Sequence, residues 1–422
     1  MSIQKKHLAA LAACRRAAAD ANRGRWIAAS ASLLAFALWA VWSVVVVVLP
    51  AAGFDYSANQ LFWLAALPGL SAATLRLFCA FLLPIFGGRK WTAAATALLL
   101  VPAVGIGVAV QDPGTGYPTM LVLALLCGLG GGAAQRRDAT LAALGVPLAQ
   151  LLVPLAISVA LFGAAGGAPQ QWSGAGRPVW LPNAGFMWVP LILWCAVLAW
   201  RGSDAAPPAT ASLAEQSAIF TRGRTWVMCW LCTGAFGALI GSAAGLPLLI
   251  KGSFADVDPL AWAFLAPLAG VLAMALGAPL ASRVGAARAA FGAFCLMTGA
   301  ALGALRFLPH SGHGGSFAGF FAMFVLLSAG AGAAHAASAR MIALMFAAKN
   351  GSERAAVLGF TATVAGFGAF FIPKSYGTAI ALTGSPAPAL WWCAAFYASC
   401  AAVAWRCHDS MVEPPTASAF SA

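Results

Sequence analysis

Long apolar stretches separated by short polar loops run through almost the whole chain. Twelve of these stretches have about the 20 residues that a helix needs to cross a bilayer. The pattern predicts transmembrane helices at residues 26–52, 58–85, 91–111, 117–135, 139–165, 182–200, 225–250, 259–282, 286–308, 316–347, 354–380 and 386–406. We therefore predict an all-α membrane protein with twelve transmembrane helices.

A polar segment near the middle of the chain divides the apolar stretches into two groups of six. It contains Pro207-Pro208 and no long apolar run, which is typical of a linker. The basic, Ala-rich first 25 residues lack the apolar core of a signal peptide, so we expect a short surface helix or a disordered segment there. The predicted units are an N-terminal tail (1–25), a first half (26–200), a linker (201–224), a second half (225–406) and a C-terminal tail (407–422).

The charge distribution sets the expected orientation in the membrane. The chain is 62% hydrophobic and 8% charged, against about 25% charged residues in soluble proteins. With the N-terminus in the cytoplasm, the inner loops and tails hold 18 Lys and Arg residues and the outer loops hold four. This asymmetry predicts a multi-pass membrane protein with both termini cytoplasmic. The net charge of +13 belongs to these loops, so we expect lipid contact and no nucleic-acid partner.

Arg76 is the most informative single residue, because it lies inside the second apolar stretch. A guanidinium stays protonated at any accessible pH, and placing it in mid-membrane costs several kcal/mol. The apolar stretches contain no Asp or Glu to neutralise it. A small planar anion is the ligand that the paired N–H donors fit best. The alternative is that Arg76 only donates hydrogen bonds to helix carbonyls across the bundle.

Signs of catalysis or of cofactor binding are weak. Cys229 and Cys232 form a C-x-x-C pair, but it lies inside an apolar helix where redox or metal chemistry is not expected. His310 and His313 in a predicted outer loop supply only two metal ligands. We therefore predict no enzyme activity, no catalytic residues, no cofactor and no metal site.

Several motifs resemble those of a known transporter family. The segment 280–288 is similar to the inner-loop motif of the major facilitator superfamily, with Ser282 in place of the usual acidic residue. The segments 357–374 and 382–386, LTGSP, resemble the nitrate/nitrite porter family of that superfamily more specifically, as do the stretch 60–91 and the glycines that follow Leu126. The resemblance extends from about residue 26 to residue 406.

This resemblance implies a fold and an activity. The fold is that of a major facilitator, two six-helix halves with a substrate site between them near the membrane midplane. The activity is secondary transport of nitrate and nitrite across a bacterial inner (plasma) membrane, and we expect a monomer. Arg76 occupies the position of the family's anion-binding arginine, and Trp42 and Phe236 match aromatic residues around the anion. Thr361 and Thr363 are hydroxyl donors that either bind the anion or bond to carbonyls one turn back.

The chain also departs from the family at important positions. A second substrate arginine of the family is Met274 here, and a tyrosine of the family is Cys232. About 20 residues of the fourth and fifth helices, roughly one membrane crossing, are missing. Arg340 is a candidate for the second positive charge, although it is close enough to the inner end to extend to the surface instead. The alternative functions are transport of another small anion, drug export, or a diverged membrane protein without transport.

The absence of intramembrane carboxylates favours anion exchange over the carboxylate proton relays of many symporters. His335 is the one group in the predicted spans that titrates near neutral pH. Proton symport through His335 therefore remains an alternative to exchange.

Overall fold

A computed structural model describes residues 2–86, 88–133, 139–161, 170–171, 178–202, 221–309, 314–346 and 351–412. Helices account for nearly all of this part of the chain. In the first half they are α1 (Ser2–Val48), α2 (Ala58–Phe86), α3 (Gly88–Leu98), α4 (Leu100–Ala109), α5 (Tyr117–Ala133), α6 (Ala139–Ile157), α7 (Asn183–Phe186) and α8 (Val189–Arg201). In the second half they are α9 (Gly223–Cys232), α10 (Ala238–Ser253), α11 (Pro259–Trp262), α12 (Leu265–Val284), α13 (Ala286–Phe307), α14 (Phe317–Met345), α15 (Gly351–Thr383) and α16 (Ala387–Val412).

The helices occupy all twelve predicted spans. Within the described residues, ten helical stretches are long and apolar enough to cross a membrane. The other two predicted spans are α2 and α5, the latter with 17 residues. Some spans consist of two consecutive helices, such as α3 with α4 and α7 with α8. A short 3-10 turn, Leu49–Ala52, follows α1, and the two-residue strands β1 (Gln170–Gln171) and β2 (Pro178–Val179) pair antiparallel.

The N-terminal tail differs from both forms expected for it. Residues 2–25 are neither a separate surface helix nor disordered, because α1 runs without a break from Ser2 to Val48. The Ala, Leu, Lys and Arg residues of this segment are strong helix formers, and the span that follows provides a helix already nucleated. Much of the linker (203–220), the end of the C-terminal tail (413–422), residues 134–138 and the His310–His313 loop lie outside the described residues.

The two halves meet along α2 and α15, which run antiparallel. A Cβ atom added to Gly69 of α2 would lie 3.0 Å from the backbone carbonyl carbon of Ala369, and one added to Gly366 of α15 would lie 2.9 Å from the Cβ of Ala73. Small residues at both positions allow this approach, as is usual where membrane helices pack closely. The contact extends over several turns and positions the two helices that carry Arg76 and the threonines.

Polar contacts also join the halves, at the end of the bundle where α2 begins and α15 ends. The Lys374 ammonium donates to Asn59 Oδ1 at 2.8 Å and lies 4.8 Å from the centre of the Trp63 ring. In the same part of the bundle, Gln150 Nε2 of α6 donates to the Ala243 carbonyl oxygen of α10 at 2.8 Å. These bonds fasten the two halves together at this end.

The seventh span contains an irregular turn. Between α9 and α10 the backbone forms one turn of π-helix, Thr233–Gly237. Such turns often occur at functional sites, because the extra residue changes which side chains face a neighbouring helix. Two glycines make a close approach possible here, since the Cα of Gly237 is 3.1 Å from the position that a Cβ on Gly368 of α15 would take. The π turn therefore packs directly against α15.

Candidate functional site

Arg76 lies in α2 at the contact with the second half. Its side chain is 9% exposed, and Nη1 donates to the Ala362 carbonyl oxygen of α15 at 3.3 Å. This is a bond of the kind that the structural alternative for Arg76 predicted. A guanidinium has five N–H donors, so the bond to Ala362 is compatible with recognition of a planar anion. The positive charge is thus held at the boundary between the halves.

Thr361 and Thr363 lie on either side of Ala362, and both are buried. The Thr361 hydroxyl donates to the Leu358 carbonyl oxygen at 3.2 Å, and the Thr363 hydroxyl donates to that of Gly359 at 3.0 Å. This is the intrahelical alternative foreseen for these residues. Their hydroxyl hydrogens would have to rotate away from these carbonyls to reach an anion.

The next part of the site packs on α15 through the π turn. The position that a Cβ on Gly237 would take lies 2.7 Å from the carbonyl oxygen of Ala365. Phe236, also in the π turn, is 2% exposed. The π turn thus lies about one helical turn along α15 from Ala362, whose carbonyl contacts Arg76.

Phe236 is the centre of an aromatic row that crosses between the halves. Its ring meets the ring of Phe36, on α1, edge to face with 6.1 Å between centroids. On the other side it lies 5.0 Å from the imidazole of His335, on α14. Phe36 in turn stacks on Trp39 at 5.4 Å. We call these four residues, His335, Phe236, Phe36 and Trp39, the aromatic row.

Trp42, the other aromatic residue predicted to surround the anion, is not among the described ring contacts of Phe236. It is fully buried, and its indole Nε1 donates to the Cys127 sulfur of α5 at 3.2 Å. The described ring contacts of Phe236 involve Phe36, six residues earlier on α1, and His335. The sequence carried a usable signal, since Phe36 and Trp39 are three residues apart and share one helix face.

Solved structures with the same arrangement of helices identify the fold. A D-xylose–proton symporter matches 90% of this chain with a TM-score of 0.65 at 15% sequence identity, covering 96% of that protein. A bacterial homologue of the human lysosomal transporter Spinster, in an inward-facing and occupied conformation, matches 92% of this chain with a TM-score of 0.64 at 12% identity, covering 97% of that protein. The fold is that of a major facilitator, as the resemblance implied.

Sequence relatives identify the family. The nitrate/nitrite transporters NarU of Escherichia coli and of Salmonella typhimurium are each 36% identical over 425 residues, covering 91% of this chain and 91% of each relative. The chain belongs to the nitrate/nitrite porter family. A probable nitrate/nitrite antiporter, NarK2 of Thermus thermophilus, is 37% identical over 375 residues, covering 82% of this chain and 83% of the relative. No protein-family model matches the chain.

Two positions at which this porter departs from its family's pattern are both buried. Met274, on α12, is 5% exposed, and its backbone nitrogen lies 3.0 Å from the position that a Cβ on Gly332 of α14 would take. Cys232 is 4% exposed. An apolar side chain and a thiol therefore occupy places for which the family resemblance predicted an arginine and a tyrosine. The shortened region around residues 134–138 lies outside the described part of this porter.

Arg340 is set apart from the other residues predicted to bind substrate. Arg76, Trp42, Phe236, Thr361 and Thr363 are all buried, whereas Arg340, near the end of α14, is exposed. This environment agrees better with a side chain that extends to the surface than with a second buried charge. His335, five residues earlier on the same helix, is the ionisable residue of α14 that joins the aromatic row.

Proposed function

We propose that this porter exchanges nitrate and nitrite across a bacterial inner membrane, with Arg76 as the main ligand of the anion. The relatives that bear nitrate/nitrite transporter names support this substrate class. The observation that carries the assignment to Arg76 is its contact with Ala362, which places a buried guanidinium where the two halves meet. An anion bound to Arg76 at this position would lie next to groups of the second half.

The electrostatics of Arg76 suit an exchanger. A permanent positive charge between the halves is costly to enclose when the site is empty, because closure removes part of its hydration. A bound anion neutralises the charge and lowers this cost. The halves would then reorient readily when loaded and slowly when empty, which is the behaviour that couples entry of one anion to exit of another.

The distribution of basic residues supports cytoplasmic termini. With that orientation, the end where α2 begins faces outward. The contacts of Lys374 with Asn59 and of Gln150 with Ala243 then close the outer side. The structure corresponds, on this proposal, to an inward-facing state of a monomer surrounded by lipid.

The aromatic row supplies the remaining wall of the proposed site. The edges of Phe36 and Phe236 exclude water and present ring hydrogens, which carry partial positive charge, toward a planar anion. Exclusion of water strengthens the interaction between the anion and the Arg76 guanidinium. The row includes residues of α1, α14 and the π turn, so movement of either half would disrupt it.

Anion counterflow in proteoliposomes tests the proposal directly. Vesicles loaded with nitrate should take up labelled nitrate or nitrite, and empty vesicles should not. Arg76→Lys keeps the charge and loses the planar fork, so kcat/KM should fall about ten- to a hundredfold, the equivalent of about 1.5–3 kcal/mol of charge-assisted hydrogen bonding. Arg306→Lys, the same change at an exposed position of α13, is the matched control and should leave uptake intact.

The buried Met274 favours one second candidate, which is transport of another small anion. A methionine carries no charge, so this position supplies no second positive ligand for the oxygens of the anion. The preference among nitrate, nitrite and other planar anions can therefore differ from that of the relatives. A competition series with nitrate, nitrite, formate and bicarbonate in the same vesicles distinguishes the two. Inhibition by neither nitrate nor nitrite, with uptake of another anion, would overturn the nitrate assignment.

A further inference from the structure

His335 occupies a position that the exchange mechanism does not explain. It is partly exposed, in a helix whose neighbouring residues 334, 336 and 337 are buried. Its ring lies against Phe236, and Phe236 lies against Phe36 of the opposite half. The imidazole is thus one ring away from the boundary between the halves.

The level of His335 along the bundle matches that of the proposed site. On the side of α12, Met274 lies beside Gly332, and a Cβ on Gly277 would lie 3.0 Å from the Cβ of Ala336. His335 is therefore in the turn of α14 that packs between these two contacts. On the side of the π turn, a Cβ on Gly237, next to Phe236, would lie 2.7 Å from the carbonyl oxygen of Ala365, about one helical turn from Ala362. The layer of the bundle around Phe236 therefore includes His335 and lies within about one turn of the carbonyl that Arg76 contacts.

The surroundings of His335 are positive or neutral rather than acidic. The helices packed against α14 contain one carboxylate in their sequence, Glu353, in the first turn of α15. Their other ionisable groups, with those of α14 itself, are Arg224, Cys229, Cys232, Lys251, Arg283, Arg288, Cys295, Arg306, Arg340, Arg354, Lys374 and Tyr376. A protonated imidazole in this layer would attract an anion more strongly than a neutral one, and a nearby anion in turn favours the protonated form.

We infer that His335 is the second cationic ligand of the transported anion and makes its binding depend on pH. The inference rests on the proposed anion exchange. Arg76 supplies a permanent charge from the first half, and protonated His335 supplies a titratable charge and N–H donors from the second half. Binding of nitrate would then accompany uptake of a proton by His335, and loss of that proton would favour release.

The test is the pH dependence of nitrate counterflow with equal nitrate and equal pH on both sides of the vesicle membrane. Nitrate remains an anion throughout, so only the protein titrates. For the wild type, KM should rise by up to about tenfold per pH unit on the alkaline side of the His335 titration, within a range of about pH 5.5 to 8.5. His335→Gln keeps a donor without a charge and should give a high KM that is flat with pH. His335→Arg keeps the charge and should give a low, flat KM.

The controls and outcomes separate this inference from the proposed function. His408→Gln removes another imidazole, near the end of α16, and should preserve the wild-type profile. A flat wild-type profile, or an unchanged slope in a folded and monodisperse His335→Gln protein, would overturn the role of His335 while leaving nitrate exchange intact. Absence of counterflow in the wild type at every pH would refute nitrate exchange itself and this inference with it.

Discussion

Gln150 donates a hydrogen bond to a backbone carbonyl of the opposite half that has no helical donor because of a proline. Pro247 lies inside α10 and has no N–H, so the carbonyl of Ala243, one turn earlier, lacks its usual helical donor. Gln150 Nε2 donates to that oxygen at 2.8 Å, and both residues are buried. Because α6 and α10 belong to different halves, the bond exists only while the halves are closed at this end. We therefore expect Gln150 to set the balance between closed and open states.

The substitution Gln150→Leu measures this contribution. It removes the donor with little change in side-chain volume, and the Ala243 carbonyl is then buried without its partner in the closed state. A buried unsatisfied carbonyl costs about 1–3 kcal/mol. Water solvates the same carbonyl when this end opens, so the cost applies to one state only. The population ratio should move toward the open state by about 5- to 150-fold.

Pulsed electron paramagnetic resonance can follow this shift. Spin labels at Asp55→Cys and Asp256→Cys, both exposed and in different halves, report the separation at this end in a background without the ten native cysteines. Gln150→Leu should increase the fraction at long distance. Ser43→Ala is the matched control, because Ser43 accepts from the same Nε2 at 2.9 Å but lies in the same half as Gln150. It should leave the distribution nearly unchanged.

A second substitution tests whether the unpaired Ala243 carbonyl is the cause of the shift toward the open state. Pro247→Ala in the Gln150→Leu background restores a backbone N–H to the Ala243 carbonyl within α10. The closed state should recover, since the carbonyl no longer depends on the other half. If the double variant stays as open as the single one, or if Gln150→Leu leaves the distances unaltered, the argument from the orphaned carbonyl is wrong.

Two further predictions concern the contacts between helices. Lys374→Met removes the bond to Asn59 and the cation–π contact with Trp63, each worth about 0.5–1 kcal/mol at a partly exposed site. Together they amount to about 1–2 kcal/mol, so the same label pair should shift toward the open state by about five- to thirtyfold. An unaltered distance distribution would exclude Lys374 from the closure. Gly368→Ala places a methyl group 2.9 Å from Thr233 Cγ2 and should destabilise the protein by about 1–3 kcal/mol, measured as a lower melting temperature in detergent. Gly359→Ala, on the same helix and facing open space, is its control, and equal melting of the two variants would contradict the packing argument.

The helices and their grouping were predictable because the bilayer imposes them. A backbone that crosses lipid must satisfy its own hydrogen bonds, so an apolar stretch of sufficient length becomes a helix whatever its neighbours are. Arg76 could be recognised for the same reason, since a permanent charge is costly in an apolar segment and is therefore rare there. These predictions needed only local composition, and α2 accordingly lies where the sequence placed it.

Contacts between distant helices were not predictable in the same way. The π turn at Thr233–Gly237 has no local sequence signal that separates it from ordinary helix, and it determines which way Phe236 faces. Trp42 and Phe36 are both aromatic residues of α1, and the rotation of that helix decides which of them meets Phe236. Gln150 and Pro247 become related only after folding brings α6 beside α10. Each of these depends on packing between the helices.

In the layer around Phe236, the contacts proposed to bind the anion are also contacts between the two halves, so anion binding and movement of the halves are coupled there. A ligand changes the balance between two states only if it binds them with different affinity. An anion held by Arg76 alone would contact one half and gain little from closure. An anion that also meets Phe236 or His335 gains contacts only when the halves are correctly placed. The π turn brings Phe236 to this layer and sets Gly237 against α15, so the backbone irregularity that completes the site also lies where the helices must slide.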